Sequence, residues 1–384
     1  MTELQSFASC GVFQPGLYRQ ATAERAFVRL EFADLSRTPA AQRSNEVEVR
    51  IRLEAAYEFN LGEPPLLRAT LLQVDQEEHF LILVVDHLVS DAWSMRILRK
   101  EFSQCYFCEM KETPLEDPPL SYSEYAVHQA EAAQDSGFAR AIEYWRGQWS
   151  TYGAERIGFE HLPFALPQPE HPTNTFAAER ACFDHGSSQA IRAFTRKARV
   201  TPYIFFLAIY GELLRTYTGR ERFGIWGHFA NRGRPGTQST VGWFANTHLI
   251  GIEANPDSSL ESRMLAIRRN IAAAYEHQEM PVMLLWRALG AYPRDPDARL
   301  LLDMNVADVF GIDGNHELSI RHASELTPVF GRFSNLGLYL RDDREMFQAS
   351  VQYSVDRFPR AAMLTFLERF QDRVLLALRT VGLT

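Results

Sequence analysis

Cysteine is scarce in this chain, which has four among 384 residues. So few in so long a chain do not make a disulfide framework, and in a reducing compartment they are expected to be free thiols. Cys105 and Cys108 form a C-x-x-C, a spacing shared by zinc and redox sites. Here it lies in Phe102-Ser-Gln-Cys-Tyr-Phe-Cys-Glu, where three-residue spacing puts both on one helix face, and Cys10 and Cys182 supply no second pair, so no metal site is assigned. Long hydrophobic runs are also missing. No stretch reaches the roughly 18 apolar residues of a membrane span, and the N-terminus lacks a basic-then-apolar signal order, so a cytosolic protein without a membrane partner is expected. Nor is there an excess of positive charge: 40 Lys and Arg stand against 48 Asp and Glu, for a net charge of −8. The basic residues are scattered, which sets aside nucleic acid and anionic lipid as main ligands. Short-period repeats and low-complexity segments are absent.

What remains is an ordinary globular composition, 46% hydrophobic and 23% charged, long enough for two or three domains. Strand patterns over Ala26 to Phe32 and Leu66 to Val74 flank a helical segment from Pro39 to Tyr57. One amphipathic helix is expected from Ser121 to Trp149, its aromatics serving the core. Pro163, Pro167, Pro169 and Pro172 then interrupt all regular structure and mark the best domain boundary. Beyond it the order recurs loosely: a strand near Ala178 to Phe183, helices from Ser187 to Ala198 and Pro202 to Thr218, and a strand from Phe223 to Phe229. Two α/β halves, residues 1–165 and 166–384, with a cleft between them, are the expected architecture.

The most informative stretch is Val84-Val-Asp-His-Leu-Val-Ser-Asp-Ala-Trp-Ser94. The run Phe80 to Val85 is continuous and apolar, as in a strand buried on both faces, while Ser94 to Phe102 has helical spacing. His87 therefore falls at a strand-to-helix junction, at the mouth of a cleft, with helix N-terminal amides nearby for developing negative charge. An imidazole there can accept a proton or orient a nucleophile.

Five separated segments, in order, resemble the condensation domains of nonribosomal peptide synthetases, members of the chloramphenicol-acetyltransferase-like fold. Phe59-Asn-Leu-Gly-Glu-Pro-Pro-Leu-Leu-Arg-Ala resembles F-D-L-x-x-G-P-L-L-R, and Asp86 to Ser94 resembles the H-H-x-x-x-D-G-x-S core. Glu143-Tyr-Trp resembles the family's Y-W. Ala230-Asn-Arg-Gly-Arg-Pro with Val241-Gly-Trp-Phe-Ala-Asn-Thr resembles N-R…I-G-x-F-x-N-T, and His277-Gln-Glu-Met-Pro resembles H-Q-D-x-P. The resemblance implies two acetyltransferase-like subdomains in a V-shaped pseudodimer, with a tunnel in which thioester-tethered substrates meet. It implies His87 as the catalytic histidine, and Asp91 as a structural aspartate paired with Arg232, Arg234 being the neighbouring alternative. A bidentate Arg–carboxylate pair would lock the loop. Trp93 is expected to pack and Ser94 to cap the helix.

The chain departs from the pattern at Asp86, where the family has its first histidine, and at Ala92, where it has glycine. The Asp86 carboxylate is free to bond nearby backbone. Ala92 either narrows donor access or fits a φ that is not positive. Asp86, Asp91 and Ser94 also satisfy D-x-x-x-x-D-x-x-S, the signature of heterocyclisation domains, although Phe244-Ala-Asn-Thr and His277-Gln-Glu-Met-Pro look like condensation sequences. No counterpart of the E-G-H-G-R-E segment of epimerisation domains is found. Gly251 stands near a usual arginine, and Val282-Met283 replaces Phe-Glu. Met1 to Tyr18 lacks the family's opening strand and helices, so either the true start lies upstream or the front is shortened, and in the second case an uncovered face that recruits a partner is expected. Asp184 to Ser188 resembles a carrier G-G-x-S site but falls at a strand-to-helix turn.

The expectation is a freestanding condensation enzyme that forms an amide, or an ester, from an acyl group on the phosphopantetheine of a separate peptidyl or acyl carrier protein. The acceptor is a free amine or a carrier-bound aminoacyl group, and the chain itself holds no cofactor. The alternatives are heterocyclisation and a non-catalytic module that recruits carriers or tailoring enzymes.

Overall fold

The computed structural model describes residues 9–380 apart from 15–16, 24–25, 109–119, 135–136, 154–158, 174, 291–299 and 307–334, together with residue 382. Contacts gather into two units. One holds the described residues up to Ala132 with Arg232–Phe244; the other holds those of Ala133–Asn231, Ala245–Val309 and Val329–Thr384.

The first unit opens on an antiparallel hairpin, β1 (Ser9–Gln14) and β2 (Leu17–Thr22). No sequence pattern announced it, and residues 1–8 of the front lie outside the described residues. Next, β3 (Leu30–Asp34) is joined through helix α1 (Ala40–Ala55) to a parallel β4 (Leu67–Gln73), a crossover that parallel pairing requires. Strand β5 (His79–Val85) pairs antiparallel with β4. Val47 and Ile51 of α1 pack with Leu72, Val74 and Ile82. The expectation of a β5 buried on both faces is overturned: among the described residues β5 is an edge of the three-stranded sheet, none of its residues is buried, and Phe80 is 38% exposed. Its apolar run serves two cores instead. Ile82 joins the core under α1, and Val85 joins Leu66, Leu67, Val89, Leu98 and Val241. Helices α2 (Ala92–Cys108) and α3 (Tyr122–Gln134) follow. Cys105 lies on α2, half-buried; the side chains of Cys10 and Cys108 lie outside what is described. Among the described residues no group of three or more His, Cys, Asp or Glu could hold a metal, and no helix is long and apolar enough to cross a membrane.

The single helix expected from Ser121 to Trp149 is two helices, α3 and α4 (Ala139–Gln148), with Gly137 in the turn between them. Glycine in a helix interior costs about 1 kcal/mol relative to alanine, so the amphipathic pattern breaks there. The second unit continues with β6 (Phe176–Cys182), α5 (His185–Lys197), α6 (Pro202–Thr218), β7 (Arg222–Phe229), β8 (Asn246–Glu253) and α7 (Leu260–Tyr275). Then come α8 (Val282–Leu289), β9 (Leu300–Val306), β10 (Leu336–Asp342), β11 (Phe347–Ser354) and α9 (Arg360–Thr380). The strands form one six-stranded sheet in the order β6-β11-β10-β9-β7-β8, parallel at β10–β9 and β9–β7 and antiparallel elsewhere. The turn at Asp184 to Ser188 is the start of α5, whose cap Asp184 accepts the Ser187 N–H at 2.7 Å. Helix α6 has Thr201 as its cap, proline at its first position and a left-handed Gly219 at its end. Its apolar side chains dominate, and Phe205, Phe206, Leu207, Tyr210, Leu213 and Leu214 are wholly buried, while Glu212 pairs with Arg263 and Arg373 on its partly exposed side.

Strand β8 is buried over all but its last residue. At its centre His248 lies flat against Trp145, with ring centroids 4.3 Å apart and planes 12° from parallel. Its Nε2 is 3.1 Å from the Gln278 carbonyl, which can only accept, so the proton sits on Nε2, and the buried Nδ1 has no partner among the described residues. Burial pushes the His248 pKa down from 6.5 to about 4. The folded chain thus refuses a proton that the unfolded chain takes as pH drops from 6.5 towards 4. This contribution to stability is complete above pH 6.5 and declines by about 3 kcal/mol on the way down. The expected outcome is that His248→Phe, which keeps a ring against Trp145, loses that much less unfolding free energy than the parent between pH 7 and 4 in urea titrations. Equal pH slopes in the two proteins would count against it.

Candidate active site

Strand β5 ends where the Asp86 N–H donates to the Leu66 carbonyl at 3.0 Å. The Asp86 carboxylate then turns back on its own loop and accepts the Leu88 N–H at 2.8 Å, while its carbonyl takes the Val89 N–H at 3.2 Å. This is a side-chain-stabilised turn of the kind aspartate forms readily. It projects His87 outward, exposed, its ring 5.1 Å from the Trp243 ring at 47°. His87 makes no hydrogen bond to a described residue.

Asp91 is 4% exposed and starts α2. Its Oδ1 accepts the Ser94 N–H at 2.7 Å and its carbonyl the Met95 N–H at 3.1 Å. Asp91 is therefore the helix cap, and the expectation that Ser94 would be is corrected: Ser94 is the third residue of the helix, the position whose N–H a cap receives. The Ser94 amide is thereby taken up by the Asp91 carboxylate.

Arg232 reaches the same carboxylate from beyond β7, its Nη2 2.8 Å from Asp91 Oδ1. Both side chains are 2% exposed. The pair is not bidentate, because the other oxygen, Oδ2, accepts the Phe244 N–H at 3.0 Å. Arg232 directs its other terminal donors elsewhere, Nη1 to the carbonyls of Thr237 and Thr240 and Nη2 also to Ser94 Oγ at 2.9 Å, while its buried Nε has no hydrogen-bond partner among the described residues. Its guanidinium lies 4.2 Å from the Phe244 ring centre. Burial opposes its charge and Asp91 sustains it. Arg234, the alternative partner, gives its carbonyl to the Thr237 N–H and hydroxyl. Ser94, fully buried, accepts the Gly242 N–H at 3.0 Å and has Asp91 Oδ1 and the Gly242 carbonyl within reach of its one proton. Trp93 donates Nε1–H to the Gln238 carbonyl at 3.0 Å and carries Arg96 on its face. Ala92 is the exposed first residue of α2 and is not among the residues with positive φ, so alanine fits where glycine is usual.

Tyr122 carried no sequence signal of its own, and Gly242 was known only as the glycine of its motif. Tyr122 donates its hydroxyl to the Trp243 carbonyl at 3.0 Å, and burial, with Tyr125 and Asp91 adding, pushes its pKa up to about 12. Gly242 has no room for a side chain: a Cβ there would stand 2.2 Å from the Tyr122 ring. The remaining motifs meet in the second unit. Trp145 donates Nε1–H to the His277 carbonyl at 3.1 Å, and Tyr144 stacks on His277 at 4.3 Å. Asn246 donates to the carbonyls of Gln278 and Met280, and Gln278 Oε1 accepts the Asn231 N–H. These segments bind one another. Gly251 replaces arginine because a Cβ would lie 2.4 Å from the Tyr152 ring.

A family model of the condensation domain matches residues 12–381. The chain belongs to the condensation-domain family. It is 28% identical to cyclosporin synthetase of Tolypocladium inflatum over 333 residues, which are 84% of this chain and 2% of that protein. This condensation domain thus spans a small fraction of the curated relatives it matches. Among solved structures, SgcC5 from Streptomyces globisporus aligns with TM-score 0.76 at 21% identity, covering 98% of this chain and 86% of that one. The X-domain from teicoplanin biosynthesis aligns with TM-score 0.79 at 15% identity, over 98% and 84%. The fold is the chloramphenicol-acetyltransferase-like one expected.

Breaking a buried ion pair on one side strands the other charge, at a cost of about 3–5 kcal/mol. Asp91→Asn and Arg232→Leu are each expected to destabilise the domain by that order in urea unfolding, and the double variant by clearly less than the sum of the two. Additive losses would show that the two side chains do not depend on each other.

Proposed function

We propose that this condensation domain joins a carrier-bound acyl thioester to an acceptor amine, with His87 as the group that accepts or orients the amine proton. The observation that carries the reading is the contrast around one turn. Asp91, Ser94, Arg232 and Gly242 are buried and mutually bonded, while the imidazole mounted on that frame is exposed and uncommitted. Fixing the backbone and leaving the base free is what proton transfer to a mobile substrate requires. The amine nitrogen attacks the thioester carbonyl, and the tetrahedral adduct collapses to the amide. The thiolate of the phosphopantetheine arm leaves, and the proton lost by the amine passes by way of His87 to that sulfur. An alcohol acceptor gives the ester by the same steps. Asp86 supports the turn through its bond to Leu88, and Asp91 with Arg232 supports the loop. The partner is a peptidyl or acyl carrier protein, and the compartment is the cytosol.

Purified protein, incubated with acyl-phosphopantetheinyl carrier protein and amino-acid amines, is expected to form amide. His87→Ala should reduce turnover by about 10²- to 10⁴-fold with its unfolding transition unchanged. Equal turnover by both proteins removes His87 from the chemistry. A thiazoline or oxazoline product favours heterocyclisation, and carrier binding without turnover favours recruitment.

A further inference from the structure

The segment Val241 to Phe244 is held at each residue. Val241 is buried in the core with Leu66, Leu67, Val89 and Leu98. Gly242 exchanges bonds with Ser94 through both its N–H and its carbonyl. Phe244 gives its N–H to Asp91, and its ring sits against Tyr122 at 5.1 Å and Tyr125 at 4.7 Å. The Trp243 carbonyl accepts the Tyr122 hydroxyl. The Trp243 side chain alone is not needed for this anchoring: it is half-buried, and its indole faces His87. In the resemblance to I-G-x-F-x-N-T this is the unspecified position.

His87 needs an orienting partner. A histidine without a hydrogen bond has a broad preference about its outer torsion, and its exposed side chain samples several rotamers. A ring wall on one side restricts that sampling. A ring at 5.1 Å and 47° is within the range of favourable aromatic pairs. It is also close enough for its π face to attract the imidazolium that forms when His87 takes a proton.

We propose that Trp243 is a positioning residue for His87: its indole, presented by a backbone anchored to Ser94, Asp91 and Tyr122, sets the orientation of the imidazole and stabilises its protonated form during acyl transfer. This rests on the amide-forming role proposed for His87.

The test uses Trp243→Leu and Trp243→Phe in the intact chain. Both keep the backbone carbonyl that Tyr122 needs, so their unfolding midpoints should stay near that of the parent. With ring-labelled histidine, and with the His87 signals assigned by their loss in His87→Gln, the two His87 ring C–H resonances are expected to move in the leucine variant and to return part of the way in the phenylalanine variant. With acyl-phosphopantetheinyl carrier protein and an amino-acid amine, kcat is expected to fall about three- to tenfold in the leucine variant at nearly constant KM for the thioester, and less in the phenylalanine variant. Unmoved His87 resonances overturn the contact. An unchanged kcat in the leucine variant of an active parent overturns the catalytic consequence while leaving the role of His87 standing. If the parent itself makes no amide, the amide-forming reading and with it the catalytic part of this proposal fall, and the resonances still decide whether Trp243 orients His87.

Discussion

A carboxylate at 4% exposure is tolerable only if its charge is answered, and the surroundings of Asp91 follow from that requirement. One oxygen takes the Ser94 amide and an Arg232 N–H, and the other takes the Phe244 amide. The start of α2 and both ends of the distant stretch from Arg232 to Phe244 are thereby fixed to one side chain. The guanidinium raises the same problem and solves it with two carbonyls, from Thr237 and Thr240, that reach it from within the same loop. The stretch from Arg232 to Phe244 consequently belongs with the strand-turn-helix unit, although the strand preceding it belongs to the other. No buried group in this set could be exchanged without stranding a partner.

The two departures at the motif are of a different kind, because neither enters that set of bonds. Asp86 uses its carboxylate on the Leu88 amide one turn away, a local bond that stabilises the loop without reaching Arg232. A histidine there could not form the same short carboxylate turn, so the loop has changed its means of support and kept its course. Ala92 begins a helix, with a backbone that any residue adopts. Both substitutions are therefore compatible with the frame that carries His87.

How much of this was legible in the sequence depended on distance along the chain. Helix α6 could be bounded correctly from Pro202 to Thr218 because its signals, Thr201, Pro202 and Gly219, are adjacent to the residues they delimit. The strand-turn-helix around His87 was legible for the same reason. The edge position of β5 was not, since an apolar run does not state whether a neighbouring strand follows on its far side. The hairpin of β1 and β2 was missed, its short strands having no strong alternation. At the site, Asp and Ser are both good caps, and which of them serves is decided by where the helix begins. The Phe244 amide that takes the second carboxylate oxygen lies 153 residues from Asp91, and nothing local predicts it.

Histidine is ambiguous in any sequence, and the chain contains both extremes of its use. His248 is enclosed by Trp145 and Phe229, bonded through Nε2 to a carbonyl, and held neutral by burial. It cannot exchange a proton with a substrate without exposing a buried charge. His87 is solvent-facing, hydrogen-bonded to no described residue, and mounted on a turn whose every support is a different residue. Residue type alone does not separate these two, and His248 directly follows a segment that matches the family pattern, Val241 to Thr247. What separates them is access: His248 is wholly buried, whereas His87 is exposed. That difference assigns His248 to the fold and leaves His87 available for chemistry.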